Sequence, residues 1–260
     1  MTPKKNIMIE KMQRDEMVLS AKLNAPSHVT ASIAAMLGYD AIWVDLEHIP
    51  GDYREINEVV LACKAYGCET VVRVARGSYS DLIHPLEMDA SAVMVPHVMS
   101  VEDAKYVAKM TKFHPIGRRA IDGGYADGQY CLLPTPEYID NANNNRLTII
   151  QIEDIEAYEQ LEEIAQIPGI DMLFFGPADF AHSIGVPTNT ADPRVLEAKR
   201  RVAEVARKYG KFAGTVGGTG NFDQLVEMGY NFISVGADVV ALTQYFKNIA
   251  DQISGRDSTK

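Results

Sequence analysis

The chain has 260 residues and a formal charge of −10 from 35 acidic against 25 basic side chains, with 47% hydrophobic and 23% charged residues. These globular proportions exclude whole-chain disorder and coiled coil, and the length suits one large α/β core. Net negative charge without a basic stripe argues against a nucleic-acid partner and for a small molecule.

At the N-terminus, Lys4 and Lys5 precede Glu10, Lys11, Arg14, Asp15 and Glu16, which interrupt any apolar leader. No apolar run approaches the ~18 residues of a membrane span, so the chain reads as cytoplasmic and free of membrane contact. Short β-rich runs then recur at Val18–Leu23, Ala41–Asp45, Thr70–Val74, Ala92–Pro96, Leu147–Ile152, Met172–Phe175, Phe212–Val216 and Phe232–Val235. Nearly all end in polar or Gly/Pro punctuation, and helix-like stretches such as Tyr53–Ala65 and Val195–Lys208 lie between them. In the latter, Val195, Ala198, Val202, Val205 and Ala206 follow helical spacing and Gly210 stands as a stop.

Eight strand–helix units in ~250 residues match a (β/α)8 barrel. The strands lack clean alternation, as parallel strands covered on both faces should. A doubly wound sheet is the alternative, but Leu23–His28 has no Gly-x-Gly-x-x-Gly after the first strand. No linker divides the chain, so residues 1–260 read as one domain with 254–260 as a disordered tail. Cys63, Cys68 and Cys131 cannot all pair and lack Cys-x-x-Cys spacing, which makes them reduced structural thiols. The segment Phe113–Arg146 exceeds 30 residues and is rich in Gly and Pro, the mark of a functional or mobile excursion.

In a barrel the chemistry gathers at the C-terminal strand ends. Strand 2 runs into Asp45, Glu47 and His48; strand 3 carries Arg73; strand 4 is followed by His97; strand 5 ends in Gln151 and Glu153; strand 6 leads through Gly176 and Pro177 to Asp179. Carboxylates from adjacent strands are hard oxygen ligands suited to Mg²⁺ or Mn²⁺. Equally open are first-turn acids of a helix Glu156–Ile164 for Glu153 and Asp154, and an N-cap for Asp179. His48 is a candidate base with Asp45 to orient it, or a surface loop histidine. Arg73 sits in an apolar strand and must find an anion: Glu47, Asp45 or a substrate carboxylate. His28, His84, His114 and His182 read as helix or surface residues.

Taken in order, Ile42-Trp43-Val44-Asp45-Leu46-Glu47-His48, Val71-Val72-Arg73-Val74, Val93-Met94-Val95-Pro96-His97-Val98, Ile150-Gln151-Ile152-Glu153 and Phe175-Gly176-Pro177-Ala178-Asp179 resemble the HpcH/HpaI aldolase family, the class II metal-dependent pyruvate aldolases. The resemblance spans Val18 to Gly236. It implies reversible cleavage of a 4-hydroxy-2-oxo acid to pyruvate, or a close 2-oxo acid, and an aldehyde. Glu153 and Asp179 would hold Mg²⁺, Mn²⁺ or Co²⁺, which the 2-oxo acid chelates as its enolate forms. His48, oriented by Asp45, would be the acid/base group, and Arg73 would bind the C2 oxygen. Gln151 would lie beside the ligand, with the backbone at Gly176, Pro177 and Ala178 facing its carboxylate. The resemblance also implies a hexamer, a trimer of dimers, in which the amphipathic stretch Val239–Ile253 packs on a neighbouring subunit.

Departures from the family pattern single out further positions. Glu87 stands where Asp is usual, Ala75 and Arg76 where Pro and Trp are common, and Lys22 where Gly is common. Lys22 and Arg76 would suit an acidic second substrate group, Lys22 alternatively a Schiff base. The glycines from Gly214 to Gly220 would suit a phosphorylated substrate. The same motifs also admit an acyl-CoA lyase or a non-catalytic 2-oxo-acid binder.

Overall fold

The computed structural model describes residues 5–257, in which eight parallel strands close into a barrel in chain order. They are β1 (Val18–Leu23), β2 (Ala41–Asp45), β3 (Glu69–Arg73), β4 (Ala92–Val95), β5 (Leu147–Ile152), β6 (Met172–Phe175), β7 (Phe212–Gly217) and β8 (Phe232–Ala237). Helices cover the outside, giving the expected (β/α)8 architecture. Strand β3 begins one residue earlier than the sequence suggests, because the Glu69 N–H pairs with the Asp40 carbonyl and so extends the ladder to β2.

Alternation along each strand separates two cores. Leu23, Ile42, Val44, Val72, Val93, Ile150, Ile152, Leu173 and Phe175 face the helices. Val18, Ala41, Trp43, Val71, Ala92, Met94, Leu147, Ile149, Met172, Phe174 and Phe232 fill the barrel. Both faces are dry, which is why no strand alternates in polarity. Helix α1 (Ile7–Gln13), which no local pattern in the sequence singles out, adds Met8 and Met12 to the inner core. Its N-cap Asn6 donates to the carbonyls of Ser91 and Asn145, fixing the helix under the barrel floor.

Around the barrel run α2 (His28–Met36), α3 (Tyr53–Ala65), α4 (Tyr79–Glu87) and α5 (Val101–Thr111). An Asp52/Glu55 capping box starts α3 where the apolar period predicts it. The Phe113–Arg146 segment is not an open excursion. It contains α6 (Thr135–Asn145) and packs Phe113, Leu133, Tyr138 and Ala142 into a small core. The buried Arg119 donates to Asp127 at 2.6 Å beside Tyr138.

The helix expected over Glu156–Ile164 is two short ones, α7 (Ile155–Glu159) and α8 (Leu161–Ala165), broken at Gln160, whose side chain accepts the Val101 N–H. Then follow α9 (Pro177–Ser183), α10 (Pro193–Lys208), α11 (Phe222–Glu227) and α12 (Asp238–Asp257). Gly210, at φ +68°, ends α10 in the left-handed region where glycine carries no Cβ penalty. Of the tail expected over 254–260, residues to Asp257 belong to α12 and the last three lie outside the described residues. Among the described residues no helix is long and apolar enough to cross a membrane.

Candidate active site

The inward positions of successive strands converge on a cavity of about 420 Å³ at the C-terminal end of the barrel. Trp43 and Phe174, edge to face at 5.4 Å, stand at its base. Lys22, Arg73, Gln151 and Glu153 line it from β1, β3, β5 and the residue after β5, with His48 from the loop after β2 and Asp179 from the first turn of α9. Three inward polar side chains lie two residues beyond a barrel-core residue: Trp43 precedes Asp45, Val71 precedes Arg73, and Ile149 precedes Gln151. The period that builds the core therefore also aims the polar groups at the mouth.

Asp45 is fully buried at the end of β2. Arg73 grips it with a two-pronged contact, Nε to Oδ1 at 2.9 Å and Nη2 to Oδ2 at 2.5 Å. Lys22 Nζ reaches the same Oδ2 at 2.8 Å. Burial alone would raise the Asp45 carboxyl, but the hydrogen bonds from Arg73 and Lys22 outweigh it and hold the group well below the usual carboxylate range. Arg73 Nη1 lies 2.9 Å from Glu47 Oε2 and 3.4 Å from Gln151 Oε1, and the guanidinium stacks 4.9 Å above Trp43. The anion that Arg73 requires is thus supplied by both Asp45 and Glu47.

This arrangement corrects the expected Asp45–His48 pair. Both Asp45 oxygens are occupied by Arg73, with Lys22 and the Glu47 N–H completing the set, so none is turned to the imidazole. His48 lines the cavity from the loop, more than half exposed, with Nε2 3.5 Å from Glu47 Oε2. Glu47 also reaches His97 Nε2 at 3.5 Å. It therefore joins the arginine to both histidines, a role its loop position does not announce.

Across the mouth, Glu153 is 1% exposed. Its Oε2 accepts from Gln151 Nε2 at 2.7 Å and its Oε1 from the His97 backbone N–H at 2.9 Å. Burial pushes its carboxyl up to about 7 against the pull of that N–H, and the charges of Asp179 and Glu47 push the same way. His97, at φ +48°, turns its ring so that Nδ1 meets Asp154 at 3.0 Å. Burial would lower this imidazole, but Asp154, Glu153 and Glu47 together raise it. Asp154 is thus a partner of His97, and makes no side-chain cap to α7.

Nor is Asp179 an N-cap: that place belongs to Gly176, with Pro177 following and Asp179 in the first turn of α9. A Cβ at position 176 would run into the Glu153 carboxylate, so only glycine lets the β6 end approach so closely. Two oxygen donors, one of them buried with no Lys or Arg paired to it among the described residues, fit a hard divalent ion and leave most of its shell to water and substrate. Among the described residues no cluster of three or more His, Cys, Asp or Glu side chains is arranged to hold a metal.

Other candidates separate from this mouth. Arg76 pairs with Asp103 at 2.9 Å on a half-exposed flank. Glu87 lies in a groove with Tyr53, Asn57, His84 and Tyr125, where burial raises its carboxyl. At the glycines after β7, the Gly218 N–H is already taken by Asn221 Oδ1 at 2.8 Å, which removes one amide from a phosphate cradle. Missed in the sequence were Trp43 and the uncharged wall from Val216, Ser234, Gly236, Ala237 and Val240. The strand period, counted two residues back from Asp45, is the signal that locates the tryptophan.

Known proteins share this plan over nearly the whole chain. It is 31% identical over 232 residues to a 2-keto-3-deoxy-L-rhamnonate aldolase of Klebsiella pneumoniae, covering 89% of this chain and 86% of that protein. Identity is 29% over 248 residues to a 2-dehydro-3,6-dideoxy-6-sulfogluconate aldolase of Pseudomonas putida, covering 95% and 96%. The crystal structure of an HpcH/HpaI aldolase from Desulfitobacterium hafniense DCB-2 superposes with a TM-score of 0.88 at 26% identity, covering 94% of this chain and 95% of that one. Residues 22–244 match the HpcH/HpaI aldolase/citrate lyase family model, from the lysine on β1 to the first turns of α12. With the family model matched over most of the chain and the barrel shared, the chain belongs to the HpcH/HpaI aldolase/citrate lyase family.

Proposed function

We propose that the protein is a cytoplasmic carbon–carbon lyase that cleaves a 4-hydroxy-2-oxo acid reversibly to pyruvate, or a close 2-oxo acid, and an aldehyde. Family membership supports the lyase reaction and the 2-oxo-acid class of substrate. The single observation that carries the class II reading is the buried Glu153 beside Asp179, linked through Gln151 to an arginine clamped by Asp45. Phosphorylated and acyl-CoA substrates find no comparable support, because the Gly218 amide is engaged and the mouth has no basic groove.

Cleavage of the C3–C4 bond needs a base for the C4 hydroxyl and positive charge where the C2 oxygen becomes negative. A Mg²⁺, Mn²⁺ or Co²⁺ ion held by Glu153 and Asp179 would supply Lewis-acid polarisation of the 2-oxo group. Arg73 meets the C2 oxygen already fixed by Asp45 and Glu47, so it stabilises developing charge without reorganising. Gln151 keeps the arginine and Glu153 in register. The backbone at Gly176, Pro177 and Ala178 faces the substrate carboxylate, with the Ala178 N–H as a donor. His48, at the open side of the mouth, takes the hydroxyl proton.

The protein is further proposed to be a homo-oligomer, a hexamer built as a trimer of dimers. Supporting this, α12 exposes Leu242, Tyr245, Phe246, Ile249 and Ile253, and α2 exposes Val29, Ile33 and Met36. Apolar stripes of that extent are covered in assemblies.

The test strips metal with a chelator, then follows pyruvate release from a 4-hydroxy-2-oxo acid and from oxaloacetate as Mg²⁺, Mn²⁺ or Co²⁺ is returned. Release that depends on the added ion is expected. Full release from the stripped protein would refute the metal assignment, and no release under any condition would refute the lyase reading.

A further inference from the structure

The mechanism above uses one cation at the mouth and leaves a second unexplained. Lys22 enters from β1, one-fifth exposed, with its ammonium 5.0 Å from the Trp43 ring centre. Its one protein anion among the described residues is Asp45, and it shares the same Oδ2 with Arg73. Asp45 keeps other partners: Arg73 covers both oxygens, and the Glu47 N–H adds a further donor. An ammonium has three donors, Asp45 is one recorded acceptor, and Lys22 lines the cavity.

The position is built with some care. Between β1 and β8 the register shifts, Ser20 facing Ser234 but Lys22 facing Ala237, an irregularity of the kind that re-aims a side chain. Immediately beyond, Asp238 accepts the Asn24 and Ala25 N–H groups at 2.8 and 3.0 Å, fixing the end of β1 to the start of α12. Lys22 is thereby held on a rigid element.

Its place in the closed strand order gives the direction. β1 is four strands from β5, and so stands across the mouth from Glu153. The wall on the Lys22 side is otherwise uncharged: Val216, Ser234, Gly236, Ala237 and Val240. A ligand with its 2-oxo-acid head at Glu153 and its C2 oxygen at Arg73 extends its far end toward this wall, where the Lys22 ammonium stands next to the arginine on the shared Asp45 oxygen.

We propose that Lys22 is a specificity-determining residue that selects an aldehyde bearing a carboxylate, by binding that distal anion across the mouth from Glu153. The proposal rests on the lyase reading above. In the synthetic direction pyruvate loses a proton from C3, the new bond joins C3 to the aldehyde carbon, and the aldehyde oxygen takes up a proton. Lys22 takes part in none of these transfers and acts on the far end of the acceptor alone.

The test compares kcat/KM for addition of pyruvate to succinate semialdehyde and to butanal, which match in chain length and differ in the distal acid. Lys22→Met is expected to lower the ratio of the two at least tenfold, and Lys22→Arg to keep it within threefold of the wild type. A ratio unchanged in Lys22→Met would overturn the proposal, because a role confined to bracing Asp45 would slow both aldehydes alike. Exchange of the pyruvate methyl protons with deuterated solvent, followed by NMR in the wild type with Mg²⁺ or Mn²⁺, tests the underlying reading separately. Exchange without preference for the acidic aldehyde would overturn the assignment of Lys22 alone. Absence of exchange would overturn the lyase reading itself.

Discussion

Glu153 is a buried acid whose environment opposes its charge, and it yields a quantitative expectation. Its carboxyl moves from an ordinary 4.5 to about 7 on folding, through burial first and the charges of Asp179 and Glu47 after it. A carboxyl raised on folding binds its proton more tightly in the native state. It therefore favours the native state fully below about 4.5, and that contribution is lost as pH rises through about 7. The difference is roughly 3 kcal/mol across that window, with little solvent screening at 1% exposure. Metal-stripped wild type should lose this amount, relative to Glu153→Gln, between pH 4.5 and pH 8. Urea denaturation of both proteins at the two pH values gives the double difference, in which most other titrating groups cancel. The same proton must leave for a divalent ion to bind, so calorimetry should find apparent metal affinity about thirty-fold weaker at pH 5.5 than on its plateau above pH 7. Equal pH dependence in wild type and Glu153→Gln would refute this account of the acid.

Arg73→Lys keeps the charge but loses the fork onto Asp45, and should lower kcat by about 10²-fold while raising KM little; wild-type turnover would mark the arginine as a structural ion pair. His48→Ala should abolish aldol cleavage by about 10²- to 10⁴-fold yet affect oxaloacetate decarboxylation less, since that reaction deprotonates no alcohol. Equal loss of both, with pyruvate affinity intact, would move His48 to the shared enolate step. Phe246→Glu on the exposed face of α12 should dissociate the assembly in sedimentation at micromolar concentration, while a wild-type monomer would remove the oligomer reading altogether.

The sequence makes the barrel legible because parallel strands buried on both faces leave dense apolar runs with sharp ends. β1, β2, β5 and β6 fall where those runs lie. Short elements carry less signal. α1 is seven residues long with only Met8 and Met12 buried, and the break at Gln160 depends on a contact with the start of α5 that no local pattern encodes. At the mouth, strand-end position identifies Asp45, Arg73, Gln151, Glu153 and Asp179, since each lies on a strand or within a few residues of its end.

Which of those groups pair is a different matter, because pairing depends on how adjacent strands are staggered. The β2–β3 register sets Asp45 directly beside Arg73, so the arginine takes the carboxylate that sequence proximity assigns to His48. His48 is left on the loop, where Glu47 and not Asp45 is its neighbour. Register likewise brings Lys22 level with Trp43, whose ring then lies under both cations. An indole face attracts cations and cannot neutralise them, so Asp45 and Glu47 must carry that charge. Glu153 faces a different condition, a buried acid with no Lys or Arg partner among the described residues and only the His97 imidazole 3.8 Å away. Strand order thus sets the cations of β1 and β3, paired with Asp45 and Glu47 from β2, across from Glu153 and Asp179 beyond β5 and β6, a separation that a 2-oxo acid and a divalent ion together would bridge.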